Sequence, residues 1–230
     1  MKLLLARHGQ TTGNVDRRLQ GSEDPLTPLG RRQAWELAAY LAGRGDVAAL
    51  YASPYVRARQ TARAVGETLG LDPVLRTGLA ELSVGEAAGY RFDDWAEKFP
   101  EETERFRTGG VDYQWPGGES GRQLGERTAR EMDHILKEHR TEKEAVVVVS
   151  HGGALAWMLV HLLRESGDEW PSEHLNLDNC SVTEVEVQSG DSPAIVLRRN
   201  YTEHLTPEPD TDPDAEPAPA TEAATGENPD

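Results

Sequence analysis

Short apolar runs of strand length recur along most of the chain. Residues 2–7 (KLLLAR) and 145–150 (AVVVVS) are almost continuously apolar. Such runs are typical of strands that are buried on both faces of a sheet. Weaker runs of the same kind predict further strands at residues 48–53, 73–75, 181–187 and 194–199.

Helical periodicity fills the segments between these strands. The first helix is predicted to begin at Thr27-Pro28, because Thr is a favourable N-cap and Pro suits the first helical position. Gly43 and Gly45 mark its end. Further helices are predicted over residues 54–69, 120–139 and 153–164. The alternation of strands and helices predicts a three-layer α/β fold, with helices flanking a mostly parallel sheet.

Two segments interrupt this alternation, and a third follows it. Residues 9–21 are rich in Gly, Thr, Asn and Gln, and we expect a loop there. Over about residues 83–118 the periodicity weakens and aromatic residues accumulate, which indicates a partly helical cap inserted into a domain of residues 1–205. Residues 206–230 alternate Pro, Ala and acidic residues, a composition that predicts a disordered tail.

The net negative charge of the chain argues against nucleic acid and anionic membranes as partners. It is −16, and residues 206–230 contain eight acidic side chains and no basic one, so half of the excess lies there. An acidic balance opposes binding to nucleic acid and to anionic membranes. The apolar start ends at Arg7, too early for a signal peptide, and Cys180 is the sole cysteine. We expect a cytoplasmic monomer or homodimer without nucleic-acid or membrane partners.

Reactive side chains follow three of the predicted strands. Arg7 and His8 follow the first strand, Ser53 ends the second, and His151 follows residues 145–150. Ligands of parallel α/β sheets bind beyond the carboxyl ends of the strands, so these loops are predicted to converge on one pocket. Imidazole, with an ordinary pKa of ~6.5, can attack phosphorus at neutral pH, and guanidinium groups suit the charge of a phosphoryl group.

Several motifs follow one another in a fixed order. They are RHGQTTGN, RLQGSEDPLTPLGRRQA, SPYVRARQTA, then Glu81, then VVVSHGG at the end of a strand. Together they resemble the histidine phosphatase superfamily, in the branch that is similar to cofactor-dependent phosphoglycerate mutase. The resemblance covers roughly residues 2–205. It implies a metal-independent phosphomonoesterase that hydrolyses small phosphorylated metabolites through a phosphohistidine.

The resemblance also implies a role for each matched residue. His8 is the expected nucleophile, and Arg7, Arg57 and His151 are expected to bind the phosphoryl oxygens. Arg57 stands at the family position of the S-x-x-x-R-A-x-x-T-A pattern. His151 precedes two glycines at a predicted helix start, where backbone N–H groups favour an anion, and a protonated His151 would add a second cationic donor. Other matched positions are expected to contact the substrate: Asn14, Gln20, Gly21 and Gly152.

Two of these interpretations leave alternatives open. Asn14 and Gln20 would serve equally well as loop residues that form hydrogen bonds with the backbone. Arg59 and Arg63 lie outside the family position and are expected on an exposed helix face.

Glu81 is the expected acid and base of the reaction. It would protonate the departing alcohol and later accept a proton from the attacking water. The family commonly shows L-x-E-x-x-x-G-x-W-E-G, whereas this chain has LAELSVGEAAG, with Ala87 and Ala88 in place of Trp and Glu. Because two small side chains replace larger ones here, the adjacent pocket is expected to differ in shape from that of the family. Glu86 is the alternative acid, although its register favours an exposed position.

We expect no metal and no other cofactor. His134 and His139 are five residues apart, which misses the spacing that places two ligands on one helical face. The chain lacks the long middle insertion of classical mutases, and its PGGES segment (residues 116–120) resembles broad-specificity phosphatases. Two alternatives to hydrolysis stay open: a phosphoglycerate mutase, and a phosphate-binding regulatory module without catalysis.

Overall fold

One mixed sheet forms the centre of the protein. The computed structural model describes residues 1–139, 144–188 and 192–207. Its strands are β1 (Lys2–Arg7), β2 (Val47–Ala52), β3 (Val74–Leu75), β4 (Ala145–Ser150), β5 (Val182–Glu186) and β6 (Ile195–Tyr201), in the order β3-β2-β4-β1-β5-β6. The first four strands are parallel to one another.

The edge formed by β5 and β6 departs from the parallel arrangement. Strand β5 is antiparallel to both β1 and β6. The segment between β5 and β6 is too short for a crossover, which parallel strands require, so these two strands form a hairpin. The mostly parallel sheet of the sequence prediction is therefore confirmed, with an antiparallel pair at one edge.

The helices are α1 (Thr12–Val15), α2 (Pro28–Arg44), α3 (Val56–Leu69), α4 (Phe92–Lys98), α5 (Pro100–Gly109), α6 (Gly121–Glu138) and α7 (Gly152–Leu163). The predicted ends of α2 are confirmed. The Thr27 hydroxyl accepts a hydrogen bond from the Gly30 N–H at 3.0 Å, and Gly45 ends the helix with a φ of 70°. No helix among the described residues combines the length and apolar character needed to cross a bilayer.

The prediction of an uninterrupted loop over residues 9–21 is wrong. Thr11 and Asn14 form a reciprocal capping box that supports the single turn of α1. The segment also lies directly against the start of α2. A Cβ atom on Gly9 would come within 2.4 Å of the Gly30 carbonyl oxygen, so the two backbones touch.

Two apolar layers enclose the sheet. Because side chains alternate along a strand, Leu4 packs with Leu37 and Val65 of α2 and α3, whereas Leu5 packs on the opposite face. On that face α6 and α7 supply Met132 and Leu159 among others. The three-layer α/β architecture is confirmed.

A separate aromatic cluster occupies the expected cap. Helices α4 and α5 lie there, with 3₁₀ turns at Gly85–Ala87 and Gly110–Asp112. Trp95 and Trp115 are buried together with Ala87, which stands where the family commonly has Trp. The segment is thus helical in part, while the domain boundaries stay a prediction. Residues 208–230 of the expected tail lie outside the described residues.

Candidate active site

The carboxyl ends of three neighbouring strands bring reactive side chains together. Arg7 and Ser150 are partners in the last register position of β1 and β4, so His8 and His151 follow side by side. The centroids of the two imidazole rings are 5.0 Å apart. The Oγ of Ser53, which follows β2, lies 2.7 Å from Nε2 of His151. The predicted convergence of the three strand ends is confirmed.

His8 lies at the floor of the site with one ring nitrogen available. Its Nδ1 is 2.7 Å from the carbonyl oxygen of Gly9, which can only accept, so Nδ1 carries the proton. Its Nε2 then has a free electron pair and faces the Nε of Arg57 at 3.2 Å. Burial, the positive charge of Arg57 and that of Arg7 hold the pKa of His8 well below its usual value. The ring is therefore neutral, with its Nε2 unprotonated.

Two side chains from other elements fix the backbone around His8. Asn179 donates from Nδ2 to the carbonyl oxygen of His8 at 3.0 Å. The N–H of Gly9 donates to the Thr61 hydroxyl at 3.1 Å, and that hydroxyl donates to the carbonyl oxygen of Arg57 at 2.8 Å. The last contact couples the loop of His8 to α3, so His8 and Arg57 keep their relative position.

Arg57 is a buried cation whose acceptors are all uncharged. Its side chain comes from the first turn of α3 and is only 1% exposed. Nε donates to His8 Nε2 and to His151 Nδ1 at 3.2 Å each, and Nη1 donates to the Gly21 carbonyl oxygen at 2.6 Å. Burial lowers the pKa of Arg57, although the negative charge of Glu81 opposes that change. An anion would meet a poorly compensated positive charge here.

His151 is buried and neutral. Its Nδ1 accepts from Arg57, so Nε2 carries the proton and donates to Ser53. Burial first, and then the positive charges of Arg57 and Arg7, hold the pKa of His151 well below its usual value. The environment therefore does not support the protonated His151 expected from the sequence, and a cationic His151 would require an anion beside it.

Arg7 supplies a second guanidinium group beside the start of α7. Its Nη1 donates to the Leu177 carbonyl oxygen at 2.5 Å, while its buried Nε has no hydrogen-bond partner among the described residues. A Cβ atom added to Gly152 would lie 3.9 Å from that Nε, so this donor lies next to the helix N-terminus. Burial lowers the pKa of Arg7. Unpaired buried donors beside a helix N-terminus favour an anion.

The structure brings Glu81 into the site and leaves Glu86 outside it. The Glu81 carboxylate accepts from the N–H groups of Gly153 at 2.9 Å and Ala154 at 3.1 Å, both in the first turn of α7. It also accepts from the N–H of Leu82 at 2.8 Å. Glu86 is exposed, as its register predicts, and does not line the pocket.

These groups line one end of a pocket of about 350 Å³. Arg7, His8 and Arg57 form its basic end. Arg18 and Glu81 also line the pocket, and its apolar side chains are Leu19, Leu82, Val84, Leu124, Trp170 and Leu175. The pocket therefore suits a small molecule that carries an anionic group.

The four residues expected to contact substrate occupy different places. The Asn14 Oδ1 accepts from the Thr11 N–H at 3.0 Å and from Asn179 at 3.2 Å, which is the loop-supporting alternative. Gln20 and Gly152 line the pocket, although the Gln20 Oε1 also lies 2.7 Å from the Thr11 hydroxyl. Gly21 presents its carbonyl oxygen to Arg57.

Two arginines and two histidines that the sequence places outside the site do lie outside the pocket. Arg59 and Arg63 are exposed on α3. His134 is exposed, and His139 lies 2.8 Å from the hydroxyl of Tyr51. Within the described ranges, no three His, Cys, Asp or Glu side chains are grouped so as to hold a metal ion.

Sequence reasoning missed several residues of the site. Arg18 lines the pocket and lies within the RLQG motif, so its basic side chain beside matched positions was an available signal. Thr61 likewise falls inside the SPYVRARQTA motif. Trp170, Leu175 and Asn179 come from the segment after α7, where no local pattern distinguishes them from ordinary loop residues.

Comparison with other proteins agrees with this geometry. The model of the histidine phosphatase superfamily (branch 1) matches residues 3–200. A metal-independent phosphoserine phosphatase of Arabidopsis thaliana is 34% identical, over 72% of this chain and 70% of that protein. A probable phosphoglycerate mutase of Shigella boydii is 30% identical, over 82% of this chain and 86% of that protein. The chain spans about half, 54%, of the curated mycobacterial relatives that it matches.

A solved structure shows the same fold. The native mycobacterial glucosyl-3-phosphoglycerate phosphatase superposes with a TM-score of 0.76 at 28% identity, covering 87% of this chain and 99% of that one. The family model and the relatives confirm the resemblance that the ordered motifs indicate. The chain is a member of branch 1 of the histidine phosphatase superfamily.

Proposed function

We propose that this protein is a metal-independent phosphomonoesterase that hydrolyses small phosphorylated metabolites through a phosphohistidine on His8. One observation carries the proposal: a neutral imidazole with an unprotonated Nε2 lies beside the buried guanidinium group of Arg57, in a small pocket that Arg7 also lines. Phosphatase relatives in the same family support it.

In the first step His8 takes the phosphoryl group. The substrate phosphate replaces the contacts that Arg57 makes with the two histidines, and Arg7 and Arg57 bind its oxygens. The His8 Nε2–phosphorus bond forms while the phosphorus–oxygen bond to the alcohol breaks. Negative charge beside His151 favours its protonation, so His151 becomes a cationic donor in the complex.

Glu81 transfers protons in both steps. The backbone N–H groups of Gly153 and Ala154 hold its carboxyl group at the first turn of α7, beside the bound phosphomonoester. Protonated Glu81 gives its proton to the departing alkoxide. In the second step the carboxylate takes a proton from water, the resulting hydroxide attacks phosphorus, and the phosphorus–nitrogen bond breaks to release inorganic phosphate.

The size of the pocket supports a small substrate. A cytoplasmic location and a monomeric or homodimeric state stay predictions. The mutase alternative differs in its product, because a mutase returns the phosphoryl group to the organic substrate. Incubation with 3-phosphoglycerate separates the two: hydrolysis releases inorganic phosphate, and isomerisation yields 2-phosphoglycerate.

The decisive test of hydrolysis is capture of the intermediate. After brief incubation with ³²P-labelled substrate and an acid-free quench, label should be found on His8 in a bond that alkali spares and acid cleaves. His8→Ala should lose both label and turnover, whereas His134→Ala, at an exposed histidine, should keep both. Turnover that persists in His8→Ala would overturn the mechanism. A binding module without catalysis would show neither label nor turnover in the wild type.

The acid assignment has its own matched pair of variants. Glu81→Gln should lower kcat/KM for an alkyl phosphate far more than for p-nitrophenyl phosphate, because kcat/KM reports the first step, in which a nitrophenolate departs without a proton. Glu86→Gln, at an exposed carboxylate five residues away, should behave like the wild type on both substrates. The reverse pattern would assign the acid to Glu86.

A further inference from the structure

One arginine outside the pocket holds the loop that carries Glu81. Arg127 lies on α6, and its Nη1 donates to the carbonyl oxygens of Gly78 at 3.0 Å and Ala80 at 2.9 Å. Its Nη2 donates to the carbonyl oxygen of Glu81 itself at 3.3 Å. The planar guanidinium thus binds three carbonyl groups within the four residues from Gly78 to Glu81, where a short 3₁₀ turn (Thr77–Leu79) leads into the Glu81 loop.

A glutamate holds the same loop from its other end. The Oε1 of Glu119 accepts from Arg127 Nη2 at 2.5 Å and from the Ser83 N–H at 3.1 Å. The backbone N–H of Glu119 also donates to the Ser83 carbonyl oxygen at 2.9 Å. Both side chains of the pair are mostly buried, with 22% and 18% of their surface exposed. Little solvent therefore competes for these bonds.

The backbone of the PGGES segment is in close contact with the loop that carries Glu81. Gly85 has a φ of 53°, and a Cβ atom there would come within 2.0 Å of the Pro116 carbonyl oxygen. A Cβ atom on Gly118 would come within 2.1 Å of the Ser83 carbonyl oxygen. The two glycines permit an approach that any larger residue prevents, and the approach places Glu119 between Ser83 and Arg127.

We propose that Arg127 and Glu119 are positioning residues for the acid and base of the reaction. They fix the backbone on both sides of Glu81, so that its carboxyl group stays at the first turn of α7 and faces the bound phosphate. Neither side chain lines the pocket. The proposal rests on the proposed function, since it requires Glu81 to transfer protons. It assigns the PGGES segment to catalytic geometry instead of substrate contact.

The contacts of Arg127 need a guanidinium group, and those of Glu119 need a carboxylate. Lysine carries a point charge on a flexible stem and cannot donate to several carbonyl groups in one plane. Glutamine at position 119 keeps an acceptor for the Ser83 N–H but loses the charge that fixes Arg127. Arg127→Lys and Glu119→Gln should therefore loosen Glu81 while leaving Arg7, His8 and Arg57 in place.

The test compares two leaving groups in full-length protein. For Arg127→Lys, kcat/KM on glycerol 2-phosphate should fall by roughly 100-fold, because a small displacement of a catalytic group has effects of that size. The same variant should lose no more than about threefold on p-nitrophenyl phosphate, whose departure needs no acid. Glu119→Gln should follow the same pattern. Arg130→Met is the matched control, because Arg130 lies one turn away on α6 and is 69% exposed.

A second experiment distinguishes a role of Arg127 in positioning Glu81 from a role in stabilising the whole protein. In the Glu81→Gln background, Arg127→Lys should cause no further loss on glycerol 2-phosphate, because the residue it positions is already inactive. An equal loss on both substrates, or a full further loss in the Glu81→Gln background, would overturn the proposal. Circular dichroism monitors folding, and if Arg127→Lys does not fold, Glu119→Gln alone decides the question by the same two criteria.

The same variants distinguish an error in the proposed function from an error in the positioning role of Arg127 and Glu119. If Glu81→Gln shows no leaving-group dependence, or if no label is trapped on His8, the assignment of Glu81 or the mechanism itself is wrong. If Glu81→Gln shows that dependence but Arg127→Lys and Glu119→Gln match the wild type, only the positioning role is wrong.

Discussion

Replacement of Arg57 by methionine should lower the catalytic activity strongly while changing the stability of the fold little. Arg57 is 1% exposed and donates three hydrogen bonds, all to uncharged acceptors. Methionine has a similar length and no charge, so it can occupy the buried space without forming those bonds. The variant therefore removes a positive charge from the phosphate end of the pocket with little loss of packing.

The effect on stability should be small because two contributions oppose each other. Three hydrogen bonds from a charged donor contribute about 2 kcal/mol each. Burial of a charged group without an opposite charge beside it costs several kcal/mol, and this cost disappears in the variant. The two amounts nearly cancel. We expect the melting temperature to shift by no more than about 4 °C, which corresponds to about 1 kcal/mol for a domain of this size.

The effect on catalysis should be large. Loss of one group that stabilises charge in the transition state typically lowers the rate by about 10²- to 10³-fold, or roughly 3–4 kcal/mol. We expect kcat/KM on p-nitrophenyl phosphate to fall by this amount. Arg59→Met is the matched control, because Arg59 lies two residues along α3 and is exposed. It should change neither activity nor melting temperature.

Calorimetry with inorganic phosphate completes the comparison. Phosphate at about 100 times its Kd should stabilise the wild type by about 2.7 kcal/mol, and the same concentration should stabilise Arg57→Met far less. Two results would refute this reasoning: an activity within about threefold of the wild type, or a melting temperature lowered by more than about 10 °C. The first would deny Arg57 a role in phosphate binding, and the second would make it a structural residue.

Three further predictions concern pH, metal ions and the tail. Because the pKa of His151 is lowered in the folded protein, the unfolded chain binds a proton first as pH falls below ~6.5, and stability present above that pH is lost below it. In chemical denaturation between pH 5 and 7, the free energy of unfolding of the wild type should fall by up to about 1.4 kcal/mol per pH unit more than that of His151→Gln. Equal pH slopes of the unfolding free energy in the two proteins would contradict this. Activity should survive excess EDTA, because Arg7 and Arg57 supply the positive charge, whereas complete and magnesium-reversible loss would show that a metal is needed. Truncation after Leu205 should leave turnover of p-nitrophenyl phosphate and the melting temperature nearly unchanged, and a large decrease of either would show that the tail contributes to the folded protein.

The sequence by itself determined the order and nature of the main elements. The buried runs of β1 and β4, and the Thr27 and Gly45 boundaries of α2, depend on local composition and backbone chemistry, which sequence patterns report directly. The same is true of the convergence of His8 and His151, since parallel strands place their carboxyl ends at one edge of the sheet. Resemblance then assigned the chemistry to these positions.

Only the tertiary structure decided the protonation of the two histidines and which of two glutamates enters the pocket. The neutral state of His151 results from burial and from the charge of Arg57, neither of which a local pattern contains. Glu81 and Glu86 look alike along the chain, and only packing shows that one reaches the N-terminus of α7 while the other is exposed. The Arg127 contacts join residues nearly fifty positions apart. Such long-range contacts depend on how helices and loops pack, which is why the sequence alone could not predict them.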